Sequence, residues 1–227
     1  MYHSICKNIG KEKHNKWRVK PKDFEKQMKW FYDNKWNSFT ISELIKLDEI
    51  PKKSFVVTFD DGYEDNFINA FPILKKYNFK ATIYLVPNQS INHWEEKNTS
   101  VLSNLLNNEQ ILQMQNTGLI EFGSHTLSHV NLSTINDEQL LIELKKSKEE
   151  IEKITRKECE AFAYPYGKFD DKIIQAVEEI GYKNATVVKR GLFEKNDNPF
   201  IIKRIGILGT ESFVDFLLKV TRIRNKL

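Results

Sequence analysis

Short apolar runs alternate with amphipathic helical segments along almost the whole chain, and this alternation limits the possible folds more than any other feature. The apolar runs, such as SFVVTF, KATIYLV and NATVV, are rich in β-branched and aromatic residues. The segments between them have apolar residues at helical spacing. Because each helix then serves as the crossover to the next strand, we predict an α/β fold with a parallel sheet.

The number of strand candidates favours a closed sheet over an open one. About seven strand and helix units fit a barrel or distorted barrel. The strand candidates are MYHSI, SFVVTF, KATIYLV, GLIEFGS, EAFAYP, NATVV and FIIKRIGI. The 227 residues suffice for one sizeable core and contain no internal repeat or evident linker. We therefore expect a single domain over residues 1–227.

The charge and cysteine content exclude several classes of protein. The chain has 35 basic and 31 acidic residues spread along its length, so the net charge of +4 gives no case for nucleic-acid binding. Cys6 and Cys159 are too few for a disulfide framework or a thiolate metal site, and we expect both to be reduced.

The two ends of the sequence bear on localisation. The start lacks the charged and apolar regions of a secretory signal, and no window of eighteen apolar residues occurs. We therefore expect a cytoplasmic protein; the alternative is an exported protein whose signal has been removed. The basic ending KVTRIRNKL, residues 219–227, is compatible with peripheral contact with an anionic membrane, although cations at a helix C-terminus explain it adequately.

Polar residues follow the predicted strands at the points where a barrel has its chemistry, which is the carboxyl end of each strand. Asp60 and Asp61 follow SFVVTF, and His125 follows the run that ends in FGS. Tyr164 follows EAFA, and His3 lies near the end of the first strand. We expect these side chains to meet at one edge of the sheet.

The segment SHTLSH contains two of the five histidines, four residues apart, so that a helical turn would direct both imidazoles the same way. Two imidazoles supply half of a metal site, and Asp61 is the obvious third ligand. A bound cation would offset the repulsion between the adjacent aspartates and leave Asp60 free as a base. The alternatives are two surface histidines and, for the DDG triplet, a simple turn or helix cap.

Three motifs in order resemble those of a known family. TFDDG (58–62), HTLSH (125–129) and FAYPYG (162–167) are similar to motifs one, two and three of the NodB-homology polysaccharide deacetylases, carbohydrate esterase family 4. The resemblance spans most of the chain. It implies a distorted (β/α)7 barrel and the metal-dependent removal of an N- or O-acyl group, usually acetyl from N-acetylhexosamine.

The resemblance also implies roles for individual residues. It makes Asp60 the catalytic base and makes Asp61, His125 and His129 the metal ligands. Zinc is the default ion for two histidines and one carboxylate, although other divalent metals fit the same ligands. An open coordination position would then activate water for hydrolysis.

The third motif would contribute to substrate binding. By the resemblance, the backbone N–H of Tyr166 helps to hold the oxyanion of the tetrahedral intermediate, and Pro165 and Tyr164 shape the sugar groove. Taken alone, the Pro and Gly of AYPYG would indicate only a turn.

The sequence departs from the family pattern at two points. Most members have an arginine in motif three where this chain has Ala163, and no histidine follows His129 to act as the late general acid. Arg190 and Arg204 could replace the arginine, but we expect a solvated or structural role for both.

His3 is the candidate for the missing acid, because the first and last strands of a closed barrel are neighbours. An N-terminal YH histidine together with AYPYG resembles the poly-N-acetylglucosamine deacetylase branch of the family. The alternative for His3 is a partly buried histidine bonded to backbone.

Three functions remain open at this point. The leading hypothesis is a metal-dependent deacetylase of an N-acetylated sugar in a polysaccharide or glycan precursor. The alternatives are a deformylase or deacylase of a lipid-linked aminosugar, and a carbohydrate-binding relative that has lost activity. His93 and Trp94, in an Asn-rich loop, could contact sugar by stacking.

Overall fold

Parallel strands form the centre of the protein. The computed structural model describes residues 1–7, 16–96 and 102–221. Its strands are β1 (Ser4–Ile5), β2 (Arg18–Val19), β3 (Asn37–Ser38), β4 (Ser54–Phe55), β5 (Val57–Phe59), β6 (Ala81–Leu85), β7 (Ile120–Ser124), β8 (Ala161–Ala163) and β9 (Asn184–Thr186). Strands β5 to β9 form one parallel sheet in chain order, so each connection is a crossover to the neighbouring strand.

Helices follow the strands and cover the outside of this sheet. They are α1 (Pro21–Asp33), α2 (Ile41–Lys46), α3 (Phe71–Tyr77), α4 (Asn108–Gln115), α5 (Asp137–Thr155), α6 (Asp171–Glu179) and α7 (Phe213–Val220). Their starts have sequence signals: Pro21 is the first residue of α1, and Asn107 and Asn136 form capping boxes at α4 and α5.

The parallel sheet is curled, which confirms the predicted distorted barrel, and isolated bridges at both of its edges bring the first and last extended segments together. At one edge Tyr2 forms a parallel bridge with Phe59, and at the other Thr186 forms one with Ile202. The N–H of Ile207 donates to the carbonyl oxygen of Met1 over 3.0 Å, so the last extended segment reaches the first strand. This closure places groups from residues 1–5 and 200–207 beside each other.

Several predicted elements differ in detail from the observed ones. The run SFVVTF is divided, because β4 pairs with β3 in a separate small sheet and only β5 joins the main one. FIIKRIGI is extended and contributes the single bridge at Ile202. The predicted last helix over 211–227 is observed as α7, and residues 222–227 of the basic ending lie outside the described residues.

Pro72 marks a fresh helix start. Residues Asn66–Ala70 form a π-helical turn, and α3 begins at Phe71 with Pro72 in its first turn, where a proline removes no internal hydrogen bond. The turn over Asn66–Ala70 begins four residues after the end of the DDG triplet and packs against β1. This packing matters for the position of His3.

The core lies between the sheet and its helices and is rich in aromatic side chains. Phe24, Phe59, Phe162 and Phe216 are at most 1% exposed, and Leu144 of α5 is fully buried. Within the described part of the chain, the helices lack the combination of length and apolarity that a membrane span requires.

Candidate active site

Of the polar residues predicted to meet at the strand ends, the aspartates and histidines do meet. Asp60 and Asp61 follow β5, His125 follows β7, and His129 lies four residues further along the same loop. All four side chains are buried, with residue exposures between 2% and 6%. A buried cluster of this kind needs internal partners for its charges.

Asp61, His125 and His129 are arranged as metal ligands. Oδ1 of Asp61 lies 3.5 Å from Nε2 of His125 and 3.2 Å from Nε2 of His129, and one ligand atom from each residue lies within 4.8 Å of the others. This Oδ1 atom is buried and has no hydrogen-bond partner of good geometry among the described residues. Two imidazoles and a carboxylate that converge in this way fit a divalent cation.

Bonds on the far sides of the two imidazole rings support this fit. Nδ1 of His125 lies 2.7 Å from the carbonyl oxygen of Ala163, so it carries the proton and leaves the lone pair of Nε2 directed into the site. Nδ1 of His129 lies 3.2 Å from the hydroxyl of Tyr166. Trp94 stacks on the ring of His129 at 4.4 Å between centroids and 18° between planes.

The loop that presents the histidines is not the predicted helical turn. Thr126 and His129 have left-handed backbone, with φ of 66° and 59°. Glu143 of α5 holds the loop, because its carboxylate accepts from the N–H groups of Leu127 and Ser128 over 2.9 and 3.0 Å. The two imidazoles are thus brought together by a strained turn that a neighbouring helix secures.

Burial and neighbouring charges set the protonation states of the ligands. Burial, then the charge of His129, lowers the pKa of His125 to about 4, so His125 is neutral at neutral pH. A neutral imidazole is the form that binds a metal. Burial alone would raise the pKa of Asp61, but the close contact with His129 and the charge of that imidazole outweigh it, and the pKa lies below its ordinary value.

Asp60 forms a bidentate ion pair with Arg204. Nη1 and Nη2 of Arg204 donate to Oδ1 and Oδ2 of Asp60 over 2.6 and 2.8 Å. Burial by itself would raise the pKa of Asp60, but the guanidinium holds it well below the usual range. Asp60 is therefore ionised, with both oxygen atoms fixed in position.

Arg204 is the residue that sequence reasoning undervalued. It is 6% exposed, its Nε donates to the carbonyl oxygen of Val187 over 3.1 Å, and its guanidinium lies 5.6 Å from the ring centre of Tyr84. The expectation of a solvated role is wrong for Arg204, whereas Arg190 is exposed. The available signal was a charged residue within the apolar run IIKRIGI.

His3 lies beside Asp60, as barrel closure requires. Its Nε2 atom is 3.9 Å from Oδ2 of Asp60, and its ring packs on Trp17 at 4.6 Å between centroids. Burial lowers the pKa of His3, and the charges of Asp61 and Asp60 oppose this only in part. The candidate acid and the candidate base are thus neighbours despite their separation in sequence.

The third motif forms a tight turn next to His129. Tyr166 has φ of 58° and is 52% exposed, and its ring lies 4.8 Å from that of His129. The turn bonds from Gly167 and Lys168 do not use the N–H of Tyr166.

The other predicted groove residues and His93 point elsewhere. Tyr164 is fully buried, and its hydroxyl donates to the carbonyl oxygen of Phe200, so it packs in the core and does not line a sugar groove. Pro165 is buried as well. His93, proposed with Trp94 as a possible sugar contact, is exposed and pairs with Glu96.

Comparisons with known proteins agree with the arrangement. The model of the polysaccharide deacetylase family matches residues 48–185. The poly-beta-1,6-N-acetyl-D-glucosamine N-deacetylase of Staphylococcus aureus is 31% identical over 198 residues, which cover 82% of this chain and 67% of the relative.

Solved structures give the same result. A polysaccharide deacetylase from Bacillus cereus superposes with a TM-score of 0.81 at 32% identity, covering 97% of this chain and 67% of that one. The Streptococcus pyogenes deacetylase PplD, solved in complex with acetate, gives 0.79 at 26% identity, covering 96% and 95%.

Replacing either imidazole ligand should weaken metal binding. We expect His125→Gln and His129→Gln each to lower the affinity for Zn²⁺ by at least about 100-fold, because each removes one of three ligands. Equilibrium dialysis with metal analysis measures the change. His93→Gln, at an exposed histidine, serves as the control, and equal binding by all three variants would contradict the assignment.

Removing the guanidinium should destabilise the fold. Arg204→Met leaves Asp60 buried without its counter-charge, and we expect the free energy of unfolding to fall by about 3–5 kcal/mol. Urea denaturation measures this loss. The matched variant at the exposed arginine, Arg190→Met, should cause a clearly smaller loss, because solvent screens the charge of an exposed side chain. Equal effects of the two variants would show that the ion pair does not stabilise the protein.

Proposed function

The chain belongs to the polysaccharide deacetylase family, and on that premise we propose that it removes N-acetyl groups from N-acetylhexosamine residues of a polysaccharide or glycan precursor. The observation that carries this proposal is the buried cluster of Asp61, His125 and His129 directly beside the Asp60–Arg204 pair. One part of this arrangement can hold a cation, and the other keeps a carboxylate ionised next to it.

The metal is proposed to be Zn²⁺ or a similar divalent ion. Asp61, His125 and His129 would hold it, because two imidazoles and a carboxylate are the ligand set that zinc hydrolases use. When bound, such an ion supplies Lewis acidity for the acyl oxygen and for water. The protein's own contribution is to keep His125 neutral and the carboxylate of Asp61 ionised.

Asp60 is the proposed general base. It is ionised, and the two bonds from Arg204 fix its oxygen atoms. The guanidinium lowers the basicity of Asp60, but it also prevents the buried carboxylate from taking up a proton before water is in place. Arg204 thus acts as a positioning residue and takes the part that the resemblance assigns to an arginine at the position of Ala163.

His3 is the proposed general acid for the departing amine. Its Nε2 atom is 3.9 Å from Oδ2 of Asp60. After Asp60 accepts a proton from water, a group at this position can donate a proton to the amine that leaves. Burial lowers the pKa of His3, so its imidazole is neutral at neutral pH and has to gain a proton before it can donate one. The charges of Asp61 and Asp60 favour the protonated form, and an amine of higher pKa takes the proton from it readily.

Substrate binding is proposed to involve the exposed aromatic surface around His129. The N–H of Tyr166 is proposed to donate to the oxyanion, since the turn bonds leave it free for this purpose. The rings of Tyr166 and Trp94 flank His129 and offer apolar faces to a sugar. The similar Staphylococcus aureus protein is a poly-beta-1,6-N-acetyl-D-glucosamine N-deacetylase, and this similarity supports a β-linked N-acetylglucosamine polymer as the substrate class.

The alternative of a carbohydrate-binding relative that has lost activity is no longer supported. It was based on the missing motif-three arginine and the missing late histidine, and Arg204 and His3 lie against Asp60 from two sides. The name of the Staphylococcus aureus relative, an N-deacetylase, favours acetyl over formyl as the group removed, so deacetylation remains the proposed reaction.

Replacing the base should stop turnover without emptying the metal site. Asp60→Asn removes the carboxylate that accepts the proton but leaves Asp61, His125 and His129 unchanged. We expect kcat on an N-acetylglucosamine oligomer to fall by about 10²–10⁴-fold while the metal content stays the same. Acetate release and metal analysis on one preparation check both parts, and retained turnover would rule out Asp60 as the base.

A further inference from the structure

Asp65 and Asn66, shortly after the DDG triplet, form hydrogen bonds with the backbone of the segment that contains His3. We infer that Asn66, assisted by Asp65, is a positioning residue that holds His3 beside Asp60, where His3 can donate a proton to the leaving amine. This inference rests on the proposed function of His3. The inference gives a role to Asp65 and Asn66, which end the YEDN segment that follows the two aspartates of the site.

Asn66 bonds directly to the residue it is inferred to position. Its Nδ2 donates to the carbonyl oxygen of His3 over 2.8 Å and lies 3.1 Å from Oδ1 of Asp65. Asn66 is 1% exposed, so water does not compete for these bonds. The amide therefore fixes the backbone of His3 from inside the protein.

Asp65 holds the next two residues of the same strand. Its Oδ2 accepts from the hydroxyl of Ser4 over 2.5 Å, and its Oδ1 accepts from the N–H of Ile5 over 2.8 Å. On the other side of His3, the N–H of Tyr2 donates to the carbonyl oxygen of Thr58 over 2.8 Å. The strand is thus secured immediately before and after the candidate acid.

The ring of His3 lacks the support that histidines in active sites usually have. A catalytic or metal-bound imidazole is commonly oriented by a carboxylate or carbonyl on its second nitrogen. Nδ1 of His3 is buried and has no hydrogen-bond partner among the described residues. The ring position therefore depends on packing against Trp17 and on the backbone that Asn66 fixes.

Small displacements of such a group are costly to the reaction. Misplacement by about 1 Å can lower the rate of a positioned reaction by about 100-fold. A general acid matters most when the leaving group is a poor one, such as an amine, and little when the leaving group is a phenolate of an activated ester. Loss of the Asn66 bond should therefore slow amide hydrolysis and spare ester hydrolysis.

The chain offers a closely matched control in Asn69. Its Nδ2 also donates to a backbone carbonyl of the same strand over 2.8 Å, but at Ile5 instead of His3. Asn66→Asp and Asn69→Asp are isosteric changes that each remove one such donor and add one negative charge. Asn66→Ala and Asn69→Ala repeat the comparison without the charge and serve where an aspartate variant does not fold.

The experiment compares these variants on two substrates in the zinc-loaded protein. On an N-acetylglucosamine oligomer, we expect Asn66→Asp to lower kcat by about 10–100-fold with little change in KM. On 4-nitrophenyl acetate, we expect a change within about twofold. Asn69→Asp should stay within about twofold on both substrates, and equal metal content and thermal midpoints show that the site is intact.

A double-mutant cycle with His3→Gln separates positioning from general destabilisation. If Asn66 acts through His3, Asn66→Asp should cause no further loss in the His3→Gln background. Additive losses, equal losses on ester and amide, or equal effects of the Asn66 and Asn69 variants would overturn the inference.

The same measurements distinguish a failure of the inferred role of Asn66 from a failure of the proposed role of His3. If His3→Gln slows amide hydrolysis and Asn66→Asp does not, only the positioning inference fails. If His3→Gln leaves amide hydrolysis unchanged, the proposed acid is wrong and the inference fails with it.

Discussion

The structure depends on the neutralisation of two adjacent buried carboxylates at the end of one short strand. Asp60 and Asp61 are 2% and 3% exposed, and neither could stay ionised there without a partner. The protein provides a separate partner for each: Arg204 from the last extended segment for Asp60, and the histidines after β7 for Asp61. Closing the barrel is therefore also what assembles the site.

The loops of the site contain strained backbone. Asp61, Thr126, His129 and Tyr166 all have positive φ without being glycine, a conformation that costs of order 1–3 kcal/mol per residue. The loops compensate with specific bonds, such as those from the N–H groups of Leu127 and Ser128 to the carboxylate of α5. Rigid loops suit a site that must hold a cation and orient a base without rearrangement.

Much of the fold and of the candidate site could be predicted from the sequence, and the rest depends on tertiary contacts. The barrel and the convergence of Asp61, His125 and His129 follow from strand periodicity and motif position. Arg204 could not be assigned, because its role depends on which strands meet at closure. The non-helical histidine turn and the burial of Tyr164 also depend on packing that local sequence does not encode.

The central claim is that a divalent cation held by Asp61, His125 and His129 enables deacetylation of an aminosugar. The most direct measurement is acetate release from an N-acetylglucosamine oligomer by the metal-loaded protein, by the chelator-treated protein, and after Zn²⁺ is restored. We expect the metal-loaded protein to release acetate and the chelator-treated protein to release none. After zinc is restored, release should recover in proportion to the zinc bound. Undiminished release after complete removal of metal, or no release at any zinc loading, would contradict the account.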